Sequence, residues 1–167
     1  MTRLREDTLH VSVRHFVRQA GWQLVAGQYP GGSDDELPPL NVMDPVLACD
    51  HSPDPSRHSK NKLTPDLVAC KHNIMLIIEM KPTYSLGDER KLEDLLTSRR
   101  GDLLSALRDL VATRGVVLPV PLQQLVFVPC LGFGPSSAYS RKASFCYFKV
   151  SALSGVTFEG NAVVPAI

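Results

Sequence analysis

The stretch TPDLVACKHNIMLIIEMKP, Thr64 to Pro82, holds the residues of this chain best able to do chemistry: Asp66 and, after twelve intervening residues, Glu79 and Lys81 at the end of an apolar run. It reads as two strands joined by a turn at His72-Asn73, and charge at the end of a buried strand needs a physical reason. Residues two apart in a strand share a face, so Glu79 and Lys81 point together while Met80 points the other way, into apolar packing. A turn centred between His72 and Asn73 sets Cys70 against Met75, Val68 against Ile77 and Asp66 against Glu79. A three-residue loop would turn Asp66 to the other face unless a bulge corrects it; four residues about the same centre would serve as well as two.

Directly opposed side chains have Cβ atoms about 5 Å apart, and two like charges that close are destabilising unless a cation lies between them. Oxygen ligands favour a hard divalent ion such as Mg²⁺, with Mn²⁺ as its substitute, which takes one or two carboxylates, keeps waters and accepts a substrate phosphate. Lys81 beside that ion would orient or deprotonate an attacking water and offset charge developing on phosphorus. The chemistry these residue types suit is phosphodiester hydrolysis. The plainer alternative is a strand beginning at a proline turn and a same-face ion pair of Glu79 with Lys81, which leaves the opposed carboxylates unexplained.

The elements around the hairpin follow from periodicity. Leu9, Val13, Phe16, Val17 and Ala20 fall on one face of a helix from about Glu6 to Ala20, with Gly21 as its cap; His10 and His15 lie off that stripe and are expected in solvent. GWQLVAG reads as a short strand. Residues 27–63 carry six prolines, paired glycines and the run SDDE, so little regular structure is expected there beyond one candidate strand in NVMDPVLACD. A functional loop, an insertion and a disordered segment are all compatible with it. GDERKLEDLLTSRRGDLLSALRDLVATRG is helical, with Gly101 and Asp102 as a candidate break, and LQQLVFVPCLGFG and SFCYFKVSAL read as two strands. That order predicts an α/β (α+β) domain over residues 1–167, a mixed central sheet flanked by helices.

Composition narrows the class. A chain of 167 residues that is 44% hydrophobic and 21% charged suits one compact domain. No run of about 18 apolar residues is present and MTRLREDTLH is charged, which predicts a soluble, intracellular protein. Cys49, Cys70, Cys130 and Cys146 lack C-x-x-C spacing, and the two C-x-H triplets match no common zinc motif, so buried free thiols are expected. A net charge of +1 excludes nucleic-acid binding by bulk charge alone but leaves local clusters such as Arg90/Lys91 and Arg99/Arg100.

Pro65-Asp66, twelve residues, then Glu79-Met80-Lys81 resembles the PD-(D/E)xK signature of the restriction endonuclease-like nuclease superfamily. The likeness extends to the context: Asp66 opens the strand DLVA, Glu79 ends an apolar strand, and a helix with a following GW strand precedes both, much as in archaeal Holliday-junction resolvases. It covers residues 5 to 112 or so. Pro53-Asp54 is a second P-D pair, but no apolar strand follows it. The resemblance implies a restriction endonuclease-like core and a Mg²⁺-dependent nuclease in which Asp66, Glu79 and the Met80 carbonyl hold the metal and Lys81 is the catalytic lysine. Glu6 on the first helix would add an acidic group, with Asp7 its competitor. A nucleic-acid substrate follows, DNA ahead of RNA, with backbone phosphates held by Arg90, Lys91, Arg99 and Arg100, and a homodimer is compatible. The helix after EMK lacks the Q-x-x-x-Y element of the RecB-like branch. The rival expectation is the same fold without catalysis, a binding or regulatory module within a larger nucleic-acid-processing assembly.

Overall fold

Strands that are apolar on both faces belong in the interior of a sheet, and the hairpin lies there. In the computed structural model, which describes residues 4–32, 34–43, 62–151 and 155–167, it forms β4 (Leu67–Lys71) and β5 (Ile74–Met80). These sit in a six-stranded sheet with β1 (Gln23–Gly27), β6 (Val126–Phe133), β7 (Cys146–Val150) and β8 (Val156–Glu159), in the order β1-β4-β5-β6-β7-β8. β1, β4 and β5 run antiparallel, β5, β6 and β7 parallel, and β8 antiparallel to β7. The sheet is mixed, as expected. β8 is an addition, because only two strands were predicted after the helices.

Alternation along β5 divides the core in two. Met75 and Ile77 pack with Val68 and Cys70 on one face, against helices α2 (Leu86–Leu96) and α3 (Arg100–Arg114). Leu76, Ile78 and Met80 pack with Leu67 and Ala69 on the other, against α1 (Glu6–Gln19). The apolar stripe places Leu92 and Leu95 of α2 and Leu103, Leu107 and Leu110 of α3 in the core. The break falls at residues 97–99, ahead of Gly101, where Thr97 Oγ1 and Ser98 Oγ bond back to the carbonyls of Glu93 and Asp94 and compete with the next helical turn.

α1 buries more than its apolar stripe. His10, Ser12 and Arg14 lie in the interior beside Leu9, Val13 and Val17, which corrects the expectation of a solvated His10; His15 is exposed as expected. Arg14 holds the segment after β1 in place. Its guanidinium pairs with Asp34, and its Cζ stands 3.8 Å from the centre of the Tyr29 ring. Asp34 in turn accepts from the backbone N–H groups of Glu36 and Leu37. A Cβ on Gly27 would come within 2.7 Å of Arg14 Nη2, so the glycine makes room for this buried cation. Residues 28–32 and 34–40 thus form docked irregular stretches, leading to a two-stranded sheet of β2 (Val42–Met43) and β3 (Lys62–Leu63). The rest of NVMDPVLACD, with Cys49, His51 and Pro53-Asp54, lies outside the described residues. Cys70, Cys130 and Cys146 are buried and free, and among the described residues no helix is long and apolar enough to cross a membrane.

Removing one partner of a buried ion pair leaves an uncompensated charge, whereas exposed pairs contribute little. Arg14→Ala should therefore lower stability by about 3 kcal/mol in urea unfolding. Arg18→Ala, which breaks a half-exposed pair with Glu36, should change it by less than about 1 kcal/mol. Equal losses would contradict the role given to Arg14.

Candidate active site

The turn decides the site. His72 takes φ 54°, the left-handed conformation a two-residue hairpin turn requires, and β4 pairs with β5 with Val68 opposite Ile77 and Cys70 opposite Met75. That is the expected register, and continuing it by one residue brings Asp66 to Glu79. Asp66 stands just before β4. Its carbonyl accepts from Gln28 N–H at 3.0 Å, and its Oδ2 accepts from Met80 N–H at 2.7 Å, so the carboxylate closes the ladder where Pro65 follows in register.

Glu79 is 4% exposed, on the face that carries α2. Its Oε1 accepts from Lys91 Nζ at 2.8 Å, a lysine one turn into α2. The start of α2 is fixed by a chain of backbone bonds from the end of β6: Lys81 N–H to the Gly132 carbonyl, Gly134 N–H to that of Pro82, and Tyr84 N–H to Ser137 Oγ. A Cβ on Gly134 would lie 2.8 Å from the Pro82 carbonyl oxygen, so only glycine permits this approach. Ser85 caps α2 by accepting from Asp88 N–H, and the Tyr84 hydroxyl donates to buried Glu89, which Lys142 also pairs.

Burial dominates the electrostatics. It raises Glu79 to about 8, with the neighbouring Asp66 charge adding to it and Lys91 opposing it. It raises Asp66 to about 6, against the Met80 N–H and Lys91, with the charges of Asp88 and Glu6 adding to the rise. The charges of Asp88 and Glu6 thus reach the end of the sheet where Asp66 and Glu79 stand. Glu6, in the first turn of α1, acts on Asp66, while Asp7 is bound by Arg5 at 2.8 Å, which favours Glu6 as the acidic group of that helix. Lys81 is exposed just past β5. His10 completes the surroundings: fully buried, its Nε2 lies 3.9 Å from Asp66 Oδ2, and neither ring nitrogen has a hydrogen-bond partner. Burial and the charge of Arg14 lower it to about 4, so the ring is neutral near pH 7.

The predicted phosphate-binding residues are placed differently. Arg90 is exposed on α2, but Lys91 is bound to Glu79 instead of standing free for a phosphate. Arg100 lies over Phe127, 5.1 Å from its ring centre, and Phe127 pairs with Met75 at the start of β5. Glu79 is four residues further along, about 13 Å at the strand rise of roughly 3.3 Å. Arg99 donates to the Met43 carbonyl at 2.8 Å. Arg100 thus lies towards the other end of the sheet from Glu79, which corrects its expected place beside the motif, while Arg99 is tied to the β2–β3 segment. Asp88 and His10 are the members the motif missed, although Ser85-x-x-Asp88 is a helix-start pattern and His10 stands three and seven residues before Val13 and Val17.

A hard divalent ion suits this donor set. Asp66 Oδ1 and Glu79 Oε2 have no hydrogen-bond partner among the described residues, and Lys91 is the only lysine or arginine among them paired with either carboxylate. Asp66 and Glu79 make a carboxylate pair, and one or two carboxylates are what Mg²⁺ takes while keeping its waters. No family model, curated protein or solved structure matches this chain.

A carboxyl group raised in the fold makes the native state bind protons more tightly than the unfolded one, so stability falls as pH rises from the unfolded to the folded value. For Asp66 and Glu79 that window runs from about 4 to about 8. Urea unfolding of the metal-free chain should show stability declining across it and levelling above. Glu79→Gln, which cannot ionise, should flatten the decline and be the more stable form at pH 8; parallel profiles would contradict the burial argument.

Proposed function

We propose that this chain is a divalent-metal-dependent nuclease that hydrolyses phosphodiester bonds, DNA first, on a restriction endonuclease-like core. The observation that carries this reading is the hairpin register, which brings buried Glu79 and part-buried Asp66 together at the end of the sheet beside Lys81. The helix before a strand that joins the hairpin, and the mixed sheet with helices on both faces, support the same reading.

In this account Asp66, Glu79 and the Met80 carbonyl would hold Mg²⁺ or Mn²⁺, with Glu6 assisting from α1. A bound ion would supply Lewis-acid polarisation of the phosphoryl oxygen and a water acidified towards neutrality. Lys81, at the solvent edge of the pair, orients the attacking water and offsets negative charge as it develops on phosphorus. Arg90, exposed on the next helix, is the basic residue best placed to hold the flanking backbone.

A second reading has its own observation. Asp66 already accepts from Met80 N–H and Glu79 from Lys91, so both carboxylates have structural partners of the kind a non-catalytic nucleic-acid-binding module would retain. Cleavage of single-stranded, duplex and branched DNA and of RNA separates the two. With Mg²⁺ or Mn²⁺ the wild-type chain should cut at least one of them, and Asp66→Ala and Lys81→Ala should each lower the rate by about 10²-fold or more. Binding without cleavage, in folded protein with metal present, favours the module.

A further inference from the structure

Lys91 holds one oxygen of the carboxylate whose other oxygen, Glu79 Oε2, is open to a divalent ion. Its Nζ lies 2.8 Å from Glu79 Oε1, with the carboxylate side chain 4% exposed and the lysine side chain 25% exposed. Its charge opposes the effect of burial at both Glu79 and Asp66. Lys81, the lysine of the motif, makes no ion pair with either carboxylate among the described residues. The two lysines therefore divide the work, one facing solvent and one neutralising the buried pair. The neighbourhood is also incomplete as a hydrogen-bonded structure: His10 is fully buried within 3.9 Å of Asp66 Oδ2, yet both ring nitrogens are unpartnered. Buried polar groups left unpaired are rare and mark places where a further ion or water belongs.

We propose that Lys91 is the resident counter-ion of this carboxylate pair, and that a divalent ion binds Glu79 by displacing the Lys91 ammonium rather than by adding beside it. The inference rests on the metal-dependent reading above. Mg²⁺ binds oxygen at about 2.1 Å, so an ion on Glu79 would crowd an ammonium already hydrogen-bonded to the same carboxylate, and the two positive charges would repel. Lys91 keeps the metal-free fold from carrying two bare buried charges, and it sets the metal concentration at which the site fills.

The test is calorimetric titration of the full chain with Mg²⁺ alone at about pH 9, above the range in which the pair exchanges protons. Lys91→Met should bind about tenfold more tightly than wild type, the scale of one charge-assisted hydrogen bond. Lys91→Arg keeps the counter-ion and should bind as wild type does. Arg108→Gln, which removes an exposed charge on α3, should also match wild type. Equal or weaker binding by Lys91→Met, or the same gain in Arg108→Gln, overturns the proposal. Should Lys91→Met fail to fold by circular dichroism, the wild-type chain decides. Saturating Mg²⁺ should raise the rate at which an N-hydroxysuccinimide acetate acylates Lys91, read by peptide mass, and an unchanged or slower rate overturns the proposal. Wild-type binding that survives Asp66→Asn, or no Mg²⁺ binding by any form, removes the metal-dependent reading itself.

Discussion

Two carboxylates at the end of a sheet, Glu79 buried and Asp66 part-buried, with one lysine to offset them, are the interaction on which the rest of this molecule turns. Burying a charged carboxyl is unfavourable unless hydrogen bonds and opposite charge accompany it, and here both carboxyls are displaced towards protonation. A sequence could avoid that cost with an apolar residue at position 79, whose neighbours on β5 are all buried and apolar. Structural use of one carboxylate, as the acceptor for Met80 N–H, accounts for Asp66 but not for a second acid facing it.

The fold delivers the pair through ordinary means. A two-residue turn fixes register, register fixes which side chains meet, and β1 and β6 flank the hairpin so that its end cannot slide. α1 brings Glu6 and His10 from one face and α2 brings Asp88 and Lys91 from the other, so the site is a junction of three layers. The backbone contacts of Lys81, Pro82 and Tyr84 with the end of β6 determine where α2 starts and hence where its lysine points. Arg14 and Asp34 perform the matching task on the opposite side, pinning Tyr29 beside His10.

Short-range physics was legible in the sequence. The apolar runs in LVACK and IMLIIEM and the weak turn His72-Asn73 gave the hairpin and its register, and the spacing of Leu92, Leu95, Leu103 and Leu107 gave the buried faces of α2 and α3. What was not legible depends on contacts between elements. His10 was read as solvated because only apolar residues were counted on α1, whereas the docked segment after β1 covers a wider face that includes His10 and Arg14. Lys91 was read as a phosphate contact because nothing in its own neighbourhood says that α2 lies against Glu79. Arg100 is close to the motif in sequence, but α2 carries it away along the sheet to Phe127. β8 was missed because VTFE is only four residues long.

The central claim is that Asp66 and Glu79 form a site for a divalent ion, and locating that ion tests it most directly. Crystals soaked in Mn²⁺ and measured for anomalous scattering at the manganese edge should show a peak between the two carboxylates, within bonding distance of Asp66 Oδ1 and Glu79 Oε2. A peak only elsewhere on the molecule, or none under saturating metal with both side chains ordered, would contradict it.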